Sequence, residues 1–162
     1  MLYNVPSRTV VDISVETMAA LAKLPTVVGV KDASGNVARV TAQRIACGTD
    51  FAQLSGNDDM VLGFMASGGV GCISVTANVA PGLCAEFQRA CADNRWGEAL
   101  TLHDRLFPLH AALFSDASPG PIKYAMGRVM PDFPTELRLP MTPPSPESCA
   151  LVDAALATAG LI

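Results

Sequence analysis

Charged residues are scarce in this chain. Only 16% of its 162 residues are Asp, Glu, Lys or Arg, whereas soluble domains carry roughly 25%. Because half of the residues are hydrophobic, the deficit predicts that much of the surface is covered by another subunit or by a further part of the same fold. The net charge of −4 and the lack of a basic run exclude a typical nucleic-acid-binding surface and give no indication of binding to an anionic membrane.

Long apolar runs are also missing, since no stretch approaches the roughly 18 residues that a membrane-spanning helix needs. The most apolar segment, 70–80, is interrupted by Ser74, Thr76 and Asn78. The first residues lack the basic and apolar regions of a signal peptide, which predicts a cytoplasmic location. The five cysteines include no Cys-x-x-Cys pair, so we interpret them as buried free thiols of a reducing compartment.

The first two-thirds of the chain alternates between short β-rich runs and helical patterns. The runs begin near residues 2, 27, 51 and 70. Helical patterns follow them at 14–23, 36–46, 57–67 and 81–93. Four strand–helix repeats predict a parallel sheet. The runs TVVGV and VGCIS are apolar on both faces, which is typical of parallel strands that are covered on both sides.

The last third of the chain is predicted to be helical over 95–114, 121–130 and 146–159, with a kink at Pro108. The repeats fit either an open, doubly wound sheet or part of an eight-stranded barrel, whose full length is about 250 residues. Half a barrel would leave two unpaired strand edges and one uncovered apolar face, which agrees with the low charge. We therefore predict a half-barrel over 1–93 and a helical region over 94–162.

Lys31 follows an apolar run, at the expected carboxyl end of the second strand. Parallel α/β proteins place their active sites at these strand ends. Partial desolvation favours the neutral amine, which is a nucleophile toward carbonyl carbons. The alternative is a lysine whose ammonium reaches water or pairs with the adjacent Asp32.

The segment YNVPSRT also lies at a predicted strand end. The phenol of Tyr3 can transfer a proton, and the guanidinium of Arg8 can bind a carboxylate. The alternative is a packed tyrosine and a surface arginine. His103 and His110 lie on one predicted helix, and we interpret them as part of a solvated face or a subunit contact because a metal site needs more ligands.

The order of several motifs is more specific than any one of them. The chain contains, in sequence, YNVPSRT, GVKDASGN, LSGND, GGVGCISVTANVAP, IKYAMG and LRLPMTP. This series resembles the dihydrodipicolinate synthase family of Schiff-base pyruvate lyases and aldolases. The resemblance implies an α/β fold, a partial (β/α)8 TIM barrel that holds the last four strand–helix units and is followed by a C-terminal helical region. On this interpretation the first four units are absent, and Met1 corresponds to an internal position of a longer parent.

The resemblance also implies roles for individual residues. Lys31 corresponds to the lysine that forms an imine with pyruvate, and Tyr3 to the tyrosine that relays protons. Arg8 corresponds to the arginine that receives the carboxylate of aspartate semialdehyde. Gly56 and Ile73 correspond to residues that line the pocket, Ile73 through its backbone carbonyl. The implied reaction is the condensation of pyruvate with aspartate semialdehyde in lysine and diaminopimelate biosynthesis, without a metal or an organic cofactor.

The same resemblance implies a homo-oligomer, or association with the absent N-terminal half. That half would hold the loop that binds the pyruvate carboxylate, so we expect the isolated chain to be impaired. Two alternatives stay open: a related pyruvate-dependent aldolase or lyase that acts on a sugar acid, and a non-catalytic half-barrel that serves as an interaction module. Arg8 favours the synthase over the sugar-acid lyases.

Overall fold

The computed structural model describes residues 1–162. Its strands are β1 (Leu2–Asn4), β2 (Gly29–Asp32), β3 (Ala52–Ser55) and β4 (Gly71–Cys72). Its helices are α1 (Pro6–Thr9), α2 (Val15–Leu21), α3 (Ala38–Cys47), α4 (Val61–Ala66), α5 (Pro81–Ala92), α6 (Trp96–Ala112), α7 (Gly120–Val129) and α8 (Pro146–Ala159). Short 3-10 helices lie at Asp58–Met60 and Thr76–Asn78. The chain divides into two compact units, Met1–Ser74 and Val75–Ile162.

The first unit is built on a parallel sheet of four strands in the order β1-β2-β3-β4. Each strand pairs with the next one in the chain, without the reversal of order that marks a doubly wound sheet. The fold class, α/β with consecutive parallel strand–helix units as in a partial barrel, is therefore confirmed. Strands β1 and β4 form the two edges, which agrees with the two unpaired strand edges predicted for a half-barrel.

The two faces of this sheet differ in cover. On one face Leu2 and Val30 pack in a core with Met18 and Phe51, because α2 and the neighbouring segments lie over that side. On the other face the side chain of Lys31 is half-buried and Tyr3 is 49% exposed. The period of two along a strand explains this division, since successive side chains point to opposite faces.

Local signals in the sequence set the limits of the helices. The Ser14 hydroxyl accepts a hydrogen bond from the backbone N–H of Thr17 at 3.2 Å and caps α2. Ser145 caps α8 in the same way through the N–H of Ser148 at 3.2 Å. Helix α8 ends at Gly160, whose φ of 70° lies in the left-handed region that glycine adopts without strain.

The second unit is helical. Helices α5, α6 and α8 pack together around buried leucines and small residues, which include Ala90, Ala99, Leu106, Leu109, Leu113 and Leu156. The bounds of α6 and α8 agree with the predicted segments, and α6 continues through Pro108. No helix of the chain combines the length and the apolar character that crossing a membrane requires.

The boundary between the two compact units follows Ser74, so α5 belongs to the second unit together with the C-terminal helices. The predicted division into 1–93 and 94–162 counts strand–helix units instead, and it stays a prediction. Residues 6–9 form the short helix α1 with Pro6 at its first position.

Candidate active site

The carboxyl ends of the first three strands lie side by side. The strand register aligns Tyr3 with Lys31 and Lys31 with Leu54. Beyond these strands, the N–H of Gly56 donates to the carbonyl oxygen of Asp32 at 2.7 Å, and the N–H of Ile73 donates to the carbonyl oxygen of Ser55 at 2.9 Å. The backbone therefore connects the segments that hold four of the five predicted site residues.

Lys31 and Tyr3 are in direct contact. The Nζ atom of Lys31 lies 4.3 Å from the centroid of the Tyr3 ring, within the range of a cation–π interaction. Both side chains lie on the less covered face of the sheet. An amine that can attack a carbonyl carbon thus stands beside a phenol that can transfer a proton.

Gly56 leaves the space that the Lys31 side chain occupies. A Cβ atom at position 56 would lie 3.1 Å from Cε of Lys31 and 2.7 Å from Cβ of Ala33. The second distance is well inside the usual carbon–carbon separation of about 3.5–4.0 Å. Any larger residue at this position would displace either the lysine or the loop that follows it.

Asp32 lies on the opposite face from Lys31 and is buried. Its carboxylate accepts hydrogen bonds from the backbone N–H of Ser34 at 2.8 Å, from Nε of Arg39 at 3.2 Å and from Nε2 of Gln43 at 2.7 Å. The structure therefore directs Asp32 toward the arginine of α3, and not toward the lysine next to it in sequence.

This carboxylate belongs to a larger set of polar residues behind the strand ends, which we call the strand-end network: Asn4, Asp12, Asp32, Arg39 and Gln43. Sequence reasoning missed the network as a feature of the site. Two signals point to it: polar residues directly follow Tyr3 and Lys31, and Arg39 and Gln43 are spaced to share one face of α3.

The other two predicted site residues lie in different surroundings. Arg8 is in the last turn of α1, and its side chain is exposed. Ile73 directly follows β4 and is 42% exposed. The structure thus brings Lys31 into contact with Tyr3 and next to Gly56, while the guanidinium of Arg8 stands in solvent.

The prediction that the histidines of α6 belong to a solvated face or a subunit contact is wrong for His110. His110 is buried, and its Nδ1 atom lies 2.7 Å from the hydroxyl oxygen of Thr76. The ring of His103 is half-buried, with centroid distances of 6.0 Å to Phe87 and 5.6 Å to Phe107. The helical pattern alone did not show which face of α6 the second unit covers.

The cysteines form no disulfide bond, as the sequence predicts, but only two of the five are buried as predicted. Cys84 and Cys91 are buried, whereas Cys47, Cys72 and Cys149 are half-buried. Burial raises the pKa of the Cys91 thiol, which lowers the fraction of reactive thiolate at neutral pH.

The chain is similar to known proteins along nearly its whole length. The model of the dihydrodipicolinate synthetase family matches residues 1–159. The chain is 73% identical over 161 residues to the 4-hydroxy-tetrahydrodipicolinate synthase of Rhizorhabdus wittichii, covering 99% of this chain and 55% of that protein. It is 67% identical to the synthase of the same name from Zymomonas mobilis, covering 100% of this chain and 56% of that protein.

Solved structures show the same relationship. The 4-hydroxy-tetrahydrodipicolinate synthase of Methylacidiphilum fumariolicum SolV superposes with a TM-score of 0.95 at 35% identity, over 99% of this chain and 53% of that one. The dihydrodipicolinate synthase of Acinetobacter baumannii in complex with pyruvate superposes with a TM-score of 0.94 at 38% identity, over 99% of this chain and 55% of that one. The chain thus spans about half the length of the relatives it matches. It belongs to the dihydrodipicolinate synthetase family.

Proposed function

We propose that Lys31 forms a Schiff base with pyruvate, and that the whole protein condenses this pyruvate with aspartate semialdehyde in lysine and diaminopimelate biosynthesis. The observation that carries the proposal is the position of the Lys31 amine, 4.3 Å from the centroid of the Tyr3 ring at the carboxyl ends of adjacent parallel strands. The high identity to proteins named as 4-hydroxy-tetrahydrodipicolinate synthases supports the choice of reaction.

The chemistry follows from an amine next to a proton donor. The neutral amine attacks the keto carbon of pyruvate, a carbon–nitrogen bond forms, and water leaves to give the imine. The protonated imine nitrogen accepts the electron pair of a C–H bond of the methyl group, the proton leaves, and the imine becomes an enamine. The enamine carbon then bonds to the aldehyde carbon, whose oxygen takes up a proton, and the imine forms again. Attack of the substrate's own amino group on the imine carbon finally breaks the bond to Nζ and frees the Lys31 amine. In this proposal Tyr3, whose ring lies beside the Lys31 amine, transfers the protons during these steps.

Three further residues receive roles in this proposal. Arg8 is exposed, and its guanidinium is available to bind the carboxylate of aspartate semialdehyde through bidentate hydrogen bonds. Gly56 keeps the space beside the lysine clear. The backbone carbonyl of Ile73 has the role of a hydrogen-bond acceptor in the pocket, and the hydrogen bond from the N–H of Ile73 to Ser55 supports this by holding the segment beside β3.

We expect turnover by the isolated chain to be weak. The Tyr3 side chain is 49% exposed, so the reacting groups are not shielded from water in this half-length chain. The edge strands β1 and β4 each have one unpaired side, which favours association with a further copy or with the absent half of the barrel. We place the protein in the cytoplasm, with no nucleic-acid or membrane partner.

The imine is tested directly by incubating the chain with pyruvate and sodium borohydride, then mapping modified peptides by mass spectrometry. Lys23 and Lys123 are the other lysines of the chain and serve as internal controls. We expect the adduct on Lys31, and its loss in the Lys31→Arg variant. Equal labelling of all lysines, or an unmodified Lys31, would contradict the proposal.

A second candidate function is a non-catalytic half-barrel that acts as an interaction module. The two open edges favour it, together with exposed apolar residues such as Val28, at 58%, and Val70, at 62%. Sedimentation velocity distinguishes it: self-association without any Lys31 adduct supports the module, whereas a stable monomer at micromolar concentration speaks against it.

A further inference from the structure

The residues directly after Tyr3 and Lys31 form a polar layer behind the reacting groups. Asn4 is paired with Asp32 in the strand register, next to the Tyr3–Lys31 pair. Both residues are buried, with Asn4 at 1% and Asp32 at 5% exposure. Because side chains alternate along a strand, whatever holds Asn4 and Asp32 on one face also sets the positions of Tyr3 and Lys31 on the other.

Arg39 connects the parts of this layer. Its Nε atom donates to Asp32 at 3.2 Å, its Nη1 atom donates to Asp12 at 3.0 Å, and its Nη2 atom donates to the carbonyl oxygen of Ile13 at 2.6 Å. The side chain is 12% exposed. Three nitrogens thus reach three separate acceptors, an arrangement that a lysine ammonium, as a compact point charge, does not reproduce.

The same network of hydrogen bonds also includes the end of β1. Asp12 accepts a hydrogen bond from Nδ2 of Asn4 at 2.8 Å, and Oδ1 of Asn4 accepts the backbone N–H of Ile13 at 3.0 Å. A continuous path therefore runs from Asn4 through Asp12 and Arg39 to Asp32. It joins the end of β1 to the end of β2 on the face opposite the candidate reaction site.

We propose that Arg39 is a positioning residue, which holds the Lys31 amine against the Tyr3 phenol by locking the two strand ends through Asp12 and Asp32. The consequence for catalysis rests on the proposed function of Lys31, but the geometric consequence does not. Small displacements of reacting groups lower rates strongly, so loss of this lock should slow imine formation even when the protein stays folded.

The test compares Arg39→Gln with a matched control, Arg44→Gln. Both arginines lie on α3. Nη1 of Arg44 donates to the carbonyl oxygen of Ser67 at 2.9 Å, and Arg44 lies outside the strand-end network. Each 162-residue variant is examined for thermal unfolding, for the rate of pyruvate trapping on Lys31, and for the carbon-13 resonances of labelled tyrosine rings.

The tyrosine signal reports geometry without any reaction, because Tyr3 and Tyr124 are the tyrosines of the chain. For Arg39→Gln we expect a shifted Tyr3 resonance, an unchanged Tyr124 resonance and trapping slowed by about tenfold or more, as misplaced reacting groups require. For Arg44→Gln we expect wild-type values of the trapping rate and of both resonances.

A milder variant keeps the test decisive if Arg39→Gln does not fold. Asp12 is 48% exposed at its side chain, and Asp12→Asn loses one of its two hydrogen bonds because an amide cannot accept through both of its ends. We expect the same direction of change at Tyr3 and Lys31. Folded variants whose Tyr3 resonance matches that of the wild type overturn the inference. If the wild-type chain traps no pyruvate, the proposed function fails, and the Tyr3 resonance still decides the role of Arg39.

Discussion

Gly56 has little space for a side chain at the candidate site, and the substitution Gly56→Ala tests whether the site needs a glycine there. The added methyl group would lie 2.7 Å from Cβ of Ala33 and 3.1 Å from Cε of Lys31. The backbone at Gly56 is outside the left-handed region, so alanine brings a steric cost and not a conformational one. Either the Ala33 loop or the lysine must move.

The expected magnitude follows from these distances. A separation of 2.7 Å is about an ångström short of the usual carbon–carbon contact. Overpacking of this kind destabilises proteins by about 1–3 kcal/mol. Because Lys31 is one of the two nearest neighbours, we expect Gly56→Ala to slow pyruvate trapping on Lys31 as well as to lower the free energy of unfolding.

The assay pairs urea unfolding with borohydride trapping. Gly63→Ala is the control, since its methyl group would meet only Val37, at 3.8 Å or more, inside α4. This control should be neutral or stabilising, because alanine favours a helix over glycine by about 1 kcal/mol. Removing the nearest neighbour in the double variant Ala33→Gly, Gly56→Ala should restore part of the stability, while the contact with Lys31 persists. Equal stability and equal trapping in Gly56→Ala and Gly63→Ala would refute the reasoning.

Three further predictions concern the sheet, a carboxylate and a thiol. Gly29→Ala places a methyl group 2.3 Å from the carbonyl oxygen of Ala52 in the β2–β3 ladder; the free energy of unfolding should fall by an amount at or above the upper end of the usual range of about 1–3 kcal/mol for overpacking, and an unchanged urea midpoint contradicts this. The hydrogen bonds from Arg128 and, to a lesser extent, Tyr124 lower the pKa of Asp153. Its stabilising contribution is therefore complete above the unfolded-state value of about 3.9 and is lost as the pH falls through the lower folded value, so Asp153→Asn should reduce the melting temperature at neutral pH and flatten its decline in acid. Burial raises the pKa of Cys91, so iodoacetamide at neutral pH should modify it more slowly than a cysteine in an unfolded peptide, as mass spectrometry of timed samples would show.

The sequence predicted the arrangement of strands and helices because the signals are local. The apolar run before Lys31 ends at turn residues, and β2 ends at Asp32 as expected. Serine caps, at Ser14 and Ser145, are also local features of the chain. The position of Lys31 at a strand end followed from the parallel pattern alone, whereas its proximity to Tyr3 required the strand register, which the family resemblance supplied only indirectly.

Sequence reasoning missed the strand-end network because its contacts depend on the rotation of α3 against the sheet, which the two signals in the sequence do not fix. Asp32 next to Lys31 in sequence was a natural partner for the ammonium, yet strand alternation turns it to Arg39 and Gln43. The burial of His110 was missed for a similar reason. Apolar residues lie on several faces of α6, so its sequence does not indicate which face packs against other helices.

The division of tasks between the two faces of the sheet has a consequence for a chain of this length. The hydrogen-bond partners of Arg39, Asp32 and Asn4 all lie within residues 1–74, so the first unit contains the whole strand-end network. The opposite face, which holds Tyr3 and Lys31, is left partly exposed. On the two proposals above, positioning is built into residues 1–74 whereas shielding of Tyr3 and Lys31 is not, so the two contributions are separable. We accordingly expect the isolated chain to form the imine on Lys31 but to condense it with the aldehyde only slowly. If the isolated chain is equally slow in imine formation and in condensation, the two faces do not act independently.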